Sequence, residues 1–137
     1  MTRILLIEDD SDVAEAIAEG LRLAGCEVTV CGTYVAAIDS LKHLPIEAVA
    51  SDGQFPGGIG GESAIGPYGV SLLNHAKSLG KAVVLVSGSD GLVRDAKALG
   101  IPALMKPASV NQILEALDRQ TAEESFKTQS KRKGNGG

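Results

Sequence analysis

Four short pieces of the chain carry groups able to act together on a charged substrate: Glu8-Asp9-Asp10, Asp52, Ser87-Gly88 and Lys106-Pro107. Gathered in one place, the carboxylates repel. Two unit charges about 4 Å apart cost roughly 4 kcal/mol at an effective dielectric near 20, so they need a cation or a shared proton. An all-oxygen set with few protein ligands and open positions suits Mg2+, which keeps several of its waters. The Lys106 ammonium can hold an incoming anion as a mobile point charge. The Ser87 hydroxyl can donate a hydrogen bond to it, and the Gly88 amide can approach closely because no Cβ intervenes. A divalent ion, an ammonium and a hydroxyl around one free carboxylate make a site for phosphoryl transfer, with the carboxylate as nucleophile. Singly, each piece has a plain structural alternative. Asp10 or Ser11 is the N-cap of a helix, Asp52-Gly53 and Ser87-Gly88 read as turns, and Lys106-Pro107 starts a loop.

What gives the pieces their joint meaning is where the elements place them. Ile4-Leu5-Leu6-Ile7 reads as a strand, followed by a helix with Val13, Ile17 and Leu21 on one stripe and Gly25 as its stop. Residues 26–30 form a second strand. Thr33 caps a helix bearing Ala37, Ile38 and Leu41 that Pro45 closes. Residues 46–51 and 82–86 are the third and fourth strands, the fourth a continuous apolar run as expected when both faces are covered. Residues 90–99 are helical and stop at Gly100, residues 101–105 are a short fifth strand, and Ser109-Val110-Asn111-Gln112 is a capping box ahead of a helix with Ile113, Leu114 and Leu117. The expectation is an α/β fold, (βα)5, with a doubly wound five-stranded parallel sheet in the flavodoxin-like order 2-1-3-4-5. In a parallel sheet all C-terminal strand ends lie on one edge, where ligands bind. Each chemical piece follows such an end.

The chain has 137 residues, 44% apolar and 3% aromatic, enough for one core built from Ala, Val, Ile and Leu and unlike a disordered chain. Its apolar runs are far shorter than a membrane span requires, and the start, Met1-Thr2-Arg3-Ile4, has no leader pattern. Residues 125–137 hold Lys127, Lys131, Arg132 and Lys133 and no acid, so the net −4 of the chain becomes −8 over residues 1–124. An acidic body argues against direct nucleic-acid binding. The expected division is a domain over residues 1–124 and a flexible basic tail over 125–137. Cys26 and Cys31 are separated by an odd number of strand positions. They point to opposite faces and read as buried free thiols of a cytoplasmic protein. His43 and His75 read as surface residues near helix ends. One interval is too long: residues 53–69 contain seven glycines together with Phe55 and Tyr68. A loop of that length is functional or disordered.

The pieces Ile4-Leu5-Leu6-Ile7-Glu8-Asp9-Asp10, Ser51-Asp52-Gly53-Gln54-Phe55-Pro56, Val83-Val84-Leu85-Val86-Ser87-Gly88 and Met105-Lys106-Pro107 together resemble the receiver domains of two-component response regulators, over residues 3 to about 121. The resemblance implies that Asp52 is the phosphoacceptor and that Mg2+ is the cofactor, bound directly by Asp9, through water by Glu8, and by Asp52 and the Gln54 backbone carbonyl. It implies that Ser87, Gly88 and Lys106 bind the phosphoryl group and that Pro107 follows a cis peptide bond. It also implies a histidine kinase or histidine phosphotransfer protein as donor and a downstream protein target. Such a chain is not an enzyme beyond gaining and losing its own phosphoryl group. Two departures stand out. Ala103 lies where the family has an aromatic, and the Gly-rich stretch after Pro56 is about nine residues longer than the βα spacing needs. That stretch can gate access, shape donor choice, order on phosphorylation, or be a passive loop. The alternative function is a receiver-like binding module that takes up no phosphate. Hydrolases with a second Asp two residues from the nucleophile are excluded by Gln54 and Ala50. Dinucleotide binding is excluded by acids where the glycine turn belongs, and a P-loop by the lack of Lys-Ser/Thr after Gly57-Gly58-Ile59-Gly60-Gly61.

Overall fold

A computed structural model describes residues 2–61 and 63–121. In chain order the elements are β1 (Arg3–Ile7), α1 (Ser11–Leu23), β2 (Glu27–Cys31), α2 (Tyr34–His43) and β3 (Ala48–Asp52), then a small hairpin of β4 (Phe55–Pro56) and β5 (Ile65–Gly66). They continue with α3 (Tyr68–Ser78), β6 (Ala82–Ser87), α4 (Asp90–Ala98) and β7 (Ala103–Met105), and α5 covers residues 110–121. The main sheet is parallel, in the order β2-β1-β3-β6-β7. Because the hairpin takes two strand numbers, this is the expected 2-1-3-4-5.

The β1 sequence explains why it sits inside the sheet, between β2 and β3. Ile4, Leu5, Leu6 and Ile7 are all buried, so both faces are covered. Alternate residues feed opposite layers, as the two-residue repeat of a strand requires. Leu5, Ile7, Val49, Val83 and Leu85 pack with Leu41 of α2, Leu72 and Leu73 of α3 and Val93 of α4. Ile4, Leu6, Ala48, Ala50, Val84 and Val86 pack with Ala18 and Leu21 of α1 and Ile113 and Leu117 of α5. The helices end and begin on the expected residues. Gly25 (φ 95°) and Gly100 (φ 75°) take the left-handed conformation after α1 and α4, which would strain the backbone of a residue with a Cβ. The Thr33 hydroxyl accepts from the Ala36 amide at 3.1 Å, and Ser109 and Gln112 cap one another reciprocally at 2.8 and 3.1 Å.

Several boundaries and faces differ from expectation. The inward stripe of α1 is Ala14, Ala18 and Leu21, while Val13 is exposed. Small residues bring this helix close to its neighbour, and Gly20 lies directly against Val110 of the α5 layer. The third strand begins at Ala48, because the Ile46 amide turns back to the Leu44 carbonyl at 2.8 Å. The last strand begins at Ala103, since the Ile101 amide still bonds Ala96 of α4 and Pro102 has no N–H for a ladder. Cys26 precedes β2 instead of opening it. Both cysteines are free and half-buried, not buried; they do face opposite layers. The basic tail at residues 125–137 lies outside the described residues.

Candidate functional site

The three consecutive acids after β1 separate into three environments. The Glu8 amide extends the ladder by donating to the Cys31 carbonyl at 3.0 Å, which turns the Glu8 side chain inward, where it is only 7% exposed. Asp9 is exposed and faces the cleft. Asp10 caps α1, its Oδ1 accepting from the amides of Asp12 and Val13 at 3.0 and 3.2 Å. Asp52 is the last residue of β3, half-buried beside them. The carboxylates of Glu8, Asp9 and Asp52 each place an oxygen within 4.8 Å of the others. Lys106 is set just past β7 by its amide donating to the Ser87 carbonyl at 2.9 Å. Its Nζ lies 3.3 Å from Asp52 Oδ2 and 3.6 Å from Glu8 Oε2. The peptide bond from Lys106 to Pro107 is cis. Ser87 ends β6 with its hydroxyl buried and accepting from the Ser89 amide at 3.1 Å. Asp9, Asp52, Gln54, Ile65, Ser87, Gly88, Ser89 and Lys106 line an open cleft of about 360 Å³.

Two glycines let these parts meet. A Cβ on Gly53 would come within 2.8 Å of the Ser87 hydroxyl oxygen and of Leu92 Cδ1. A Cβ on Gly69, in the first turn of α3, would collide with the Asp52 carbonyl oxygen. What reads as a turn residue and a loop residue are both close-packing sites at the end of β3. The Gly53 amide also donates to Asp52 Oδ1 at 2.6 Å, orienting the carboxylate.

The electrostatics follow from this crowding. The Glu8 carboxyl is pushed up to about 7, by burial first and then by the negative charge of Asp52, with Lys106 acting in the opposite direction. For the Lys106 ammonium, partial burial works downward, but the charges of Asp52 and Glu8 outweigh it and the pKa rises. One ammonium thus stands against three acids, and the donor set is all hard oxygen. The residues fit a hard divalent cation, whose charge would offset both the burial and the Asp52 charge that push the Glu8 carboxyl up.

The stretch after Pro56 is folded onto the body. Phe55 is fully buried. The Tyr68 ring lies 6.1 Å from Phe55 and 5.6 Å from Tyr34 of α2, centroid to centroid, and the Val35 amide donates to the Gly57 carbonyl at 3.0 Å. Through β5 this stretch contributes Ile65 to the cleft. Neither Ile65 nor Ser89 belongs to the four chemical pieces of the sequence. Ser89 carries a legible signal, since it is the N-cap of α4, its hydroxyl accepting from the Leu92 amide at 3.3 Å. Ile65 carries none, because nothing local sets how the hairpin lies. Ala103 packs against the α2–α3–α4 layer without reaching the cleft. His43 and His75 are exposed and away from it.

No protein-family model matches the sequence, and no curated protein does. Solved structures do. A response regulator receiver domain from Clostridium thermocellum is 21% identical, with a TM-score of 0.73 over 92% of this chain and 98% of that one. A CheY-like receiver domain protein from Methanospirillum hungatei is 24% identical, with a TM-score of 0.71 over 90% and 98%. A response regulator from Burkholderia pseudomallei, solved with a phosphorylated aspartic acid, a calcium ion and citrate, is 25% identical, with a TM-score of 0.69 over 93% of this chain and 75% of that one. With its sheet order and its acidic edge, the chain has the fold of response-regulator receiver domains.

Proposed function

We propose that this chain is the phosphoacceptor receiver of a two-component or phosphorelay system, taking a phosphoryl group from a phosphohistidine onto Asp52. The observation that carries the reading is the convergence of Asp52 with Glu8, Asp9, Ser87 and Lys106, the ammonium 3.3 Å from the Asp52 carboxylate. An Asp52 oxygen forms a bond to phosphorus as the phosphorus–nitrogen bond of the donor breaks, and the imidazole leaves and takes up a proton. Lys106 holds the transferring group by charge, and the Ser87 hydroxyl donates to one of its oxygens. Glu8, Asp9, Asp52 and the Gln54 carbonyl would hold Mg2+, which when bound neutralises charge on the phosphoryl oxygens. The phosphorylated aspartic acid and calcium ion of the Burkholderia pseudomallei relative support both parts of this reading.

The donor is then a histidine kinase or a histidine phosphotransfer protein. Output runs through protein contacts, the location is cytoplasmic, and the chain is no enzyme beyond the gain and loss of its own phosphoryl group. Intact mass after phosphoramidate and Mg2+ tests the reading. One added phosphoryl group in the wild type and none in Asp52→Asn is the expected result. No addition to the wild type favours a binding module that works without phosphate.

A further inference from the structure

Of the residues around the cleft, seven are polar or glycine: Asp9, Asp52, Gln54, Ser87, Gly88, Ser89 and Lys106. The eighth, Ile65, is a branched aliphatic side chain that is 64% exposed. It contributes nothing to either core layer. Its position is nevertheless built. Ile65 pairs with Pro56 and Gly66 with Phe55 across the hairpin. Phe55 is sunk completely into the core. Gly66 lies so tightly under the Tyr68 ring that a Cβ there would stand 2.6 Å from Tyr68 Cε2. The anchor is closely packed and apolar, and what it carries to the charged cleft is one hydrocarbon side chain.

We infer that Ile65 is a specificity-determining residue for the site, an apolar shield that limits the approach of water to the phosphoryl group on Asp52. The inference rests on the phosphoacceptor reading above. In the reaction it slows, a water oxygen forms a bond to phosphorus and the bond from phosphorus to the Asp52 oxygen breaks. Asp52 leaves as the carboxylate, inorganic phosphate keeps one water proton, and the other passes to solvent. Lys106 and Ser87 serve the phosphoryl group whether it arrives or leaves. A hydrocarbon wall at the mouth acts on the small polar nucleophile, by denying it hydrogen-bonding partners along that side.

The test loads the full chain with phosphoramidate and Mg2+, removes the donor, and follows loss of the phosphoryl group by intact mass. Ile65→Ala is expected to shorten the half-life by about threefold to tenfold, with the melting temperature unchanged. Ile65→Leu is expected to restore it. Ile59→Ala is the control, since Ile59 is 61% exposed in the same stretch but borders a separate groove beside α2. An Ile65→Ala half-life equal to the wild type overturns the inference while leaving the phosphoacceptor reading intact. So does an equal shortening in Ile59→Ala, which would mean general loosening of the stretch. Loss of folding in Ile65→Ala overturns it too, because the side chain would then be structural. A wild type that takes up no phosphoryl group overturns both.

Discussion

Replacing Gly69 by alanine should damage stability and the site together, although by helix propensity alone it should help. Gly69 is the second residue of α3, and in a solvated helix alanine would gain up to about 1 kcal/mol. Here the added Cβ meets the Asp52 carbonyl oxygen, lies 2.7 Å from Gly53 Cα and lies 3.1 Å from the Asp52 carbonyl carbon. All three are backbone atoms, so none can turn aside. Restoring ordinary contact requires the end of β3 and the start of α3 to part by about 1 Å, a strain of the kind that costs roughly 1–3 kcal/mol or more. The net expectation is a loss of about 1–2 kcal/mol, or several degrees in melting temperature. The parting moves Asp52, whose carboxylate must stay 3.3 Å from Lys106 Nζ. A displacement near 1 Å in a reacting group lowers rates by up to about a hundredfold. Gly91→Ala is the matched control. Gly91 is also the second residue of its helix, α4, but its Cβ would meet only Ser89 Oγ, at 3.7 Å. Thermal unfolding and phosphoramidate loading of the two variants decide the matter. If Gly69→Ala melts at or above the wild type and loads normally, the close packing of α3 on the end of β3 is not what holds Asp52 in place.

Asp9→Ala should fold normally, because Asp9 is exposed and Asp10 makes the helix cap, yet Mg2+ binding by titration calorimetry should be lost or weakened at least tenfold. Lys106→Ala should also fold, and its rate of phosphoryl uptake should fall roughly a hundredfold, as when a preorganised charge is removed from a transfer site; uptake at the wild-type rate would remove Lys106 from the chemistry. Burial pushes the Cys31 thiol up to about 12 from the ordinary 9. At pH 8 the thiolate is then scarcer by roughly a thousandfold, and alkylation of Cys31 in the folded protein should be slower in proportion. The sign for stability is that the neutral, half-buried thiol favours the fold fully below pH 9 and loses that advantage as the pH climbs from 9 towards 12. Cys31→Ala should therefore show a flatter stability profile than the wild type above pH 9, measured by denaturant titration.

Much of this protein is decided locally. Strands buried on both faces need continuous apolar runs, and Ile4 to Ile7 and Val83 to Val86 are such runs. Helix ends need hydroxyl or carboxylate caps and left-handed stops, supplied by Asp10, Thr33, Ser109, Gly25 and Gly100. Strand and helix alternation then forces a parallel sheet, and a parallel sheet puts all its C-terminal ends on one edge. The meeting of Glu8, Asp9, Asp52, Ser87 and Lys106 is thus legible from order along the chain. Contacts between distant elements are not. That α1 turns Ala14 and Ala18 inward and leaves Val13 outside depends on how closely α5 approaches through Gly20. That Gly53 and Gly69 are packing glycines depends on Ser87 and Asp52 arriving beside them. Ile65 reaches the cleft only because Phe55 and Tyr68 pin a hairpin whose own residues carry no register signal. Periodicity and caps are properties of a few neighbouring residues and survive in one dimension. Which surfaces touch is set by the fit of side-chain volumes across the fold, and that exists only once the chain has closed on itself.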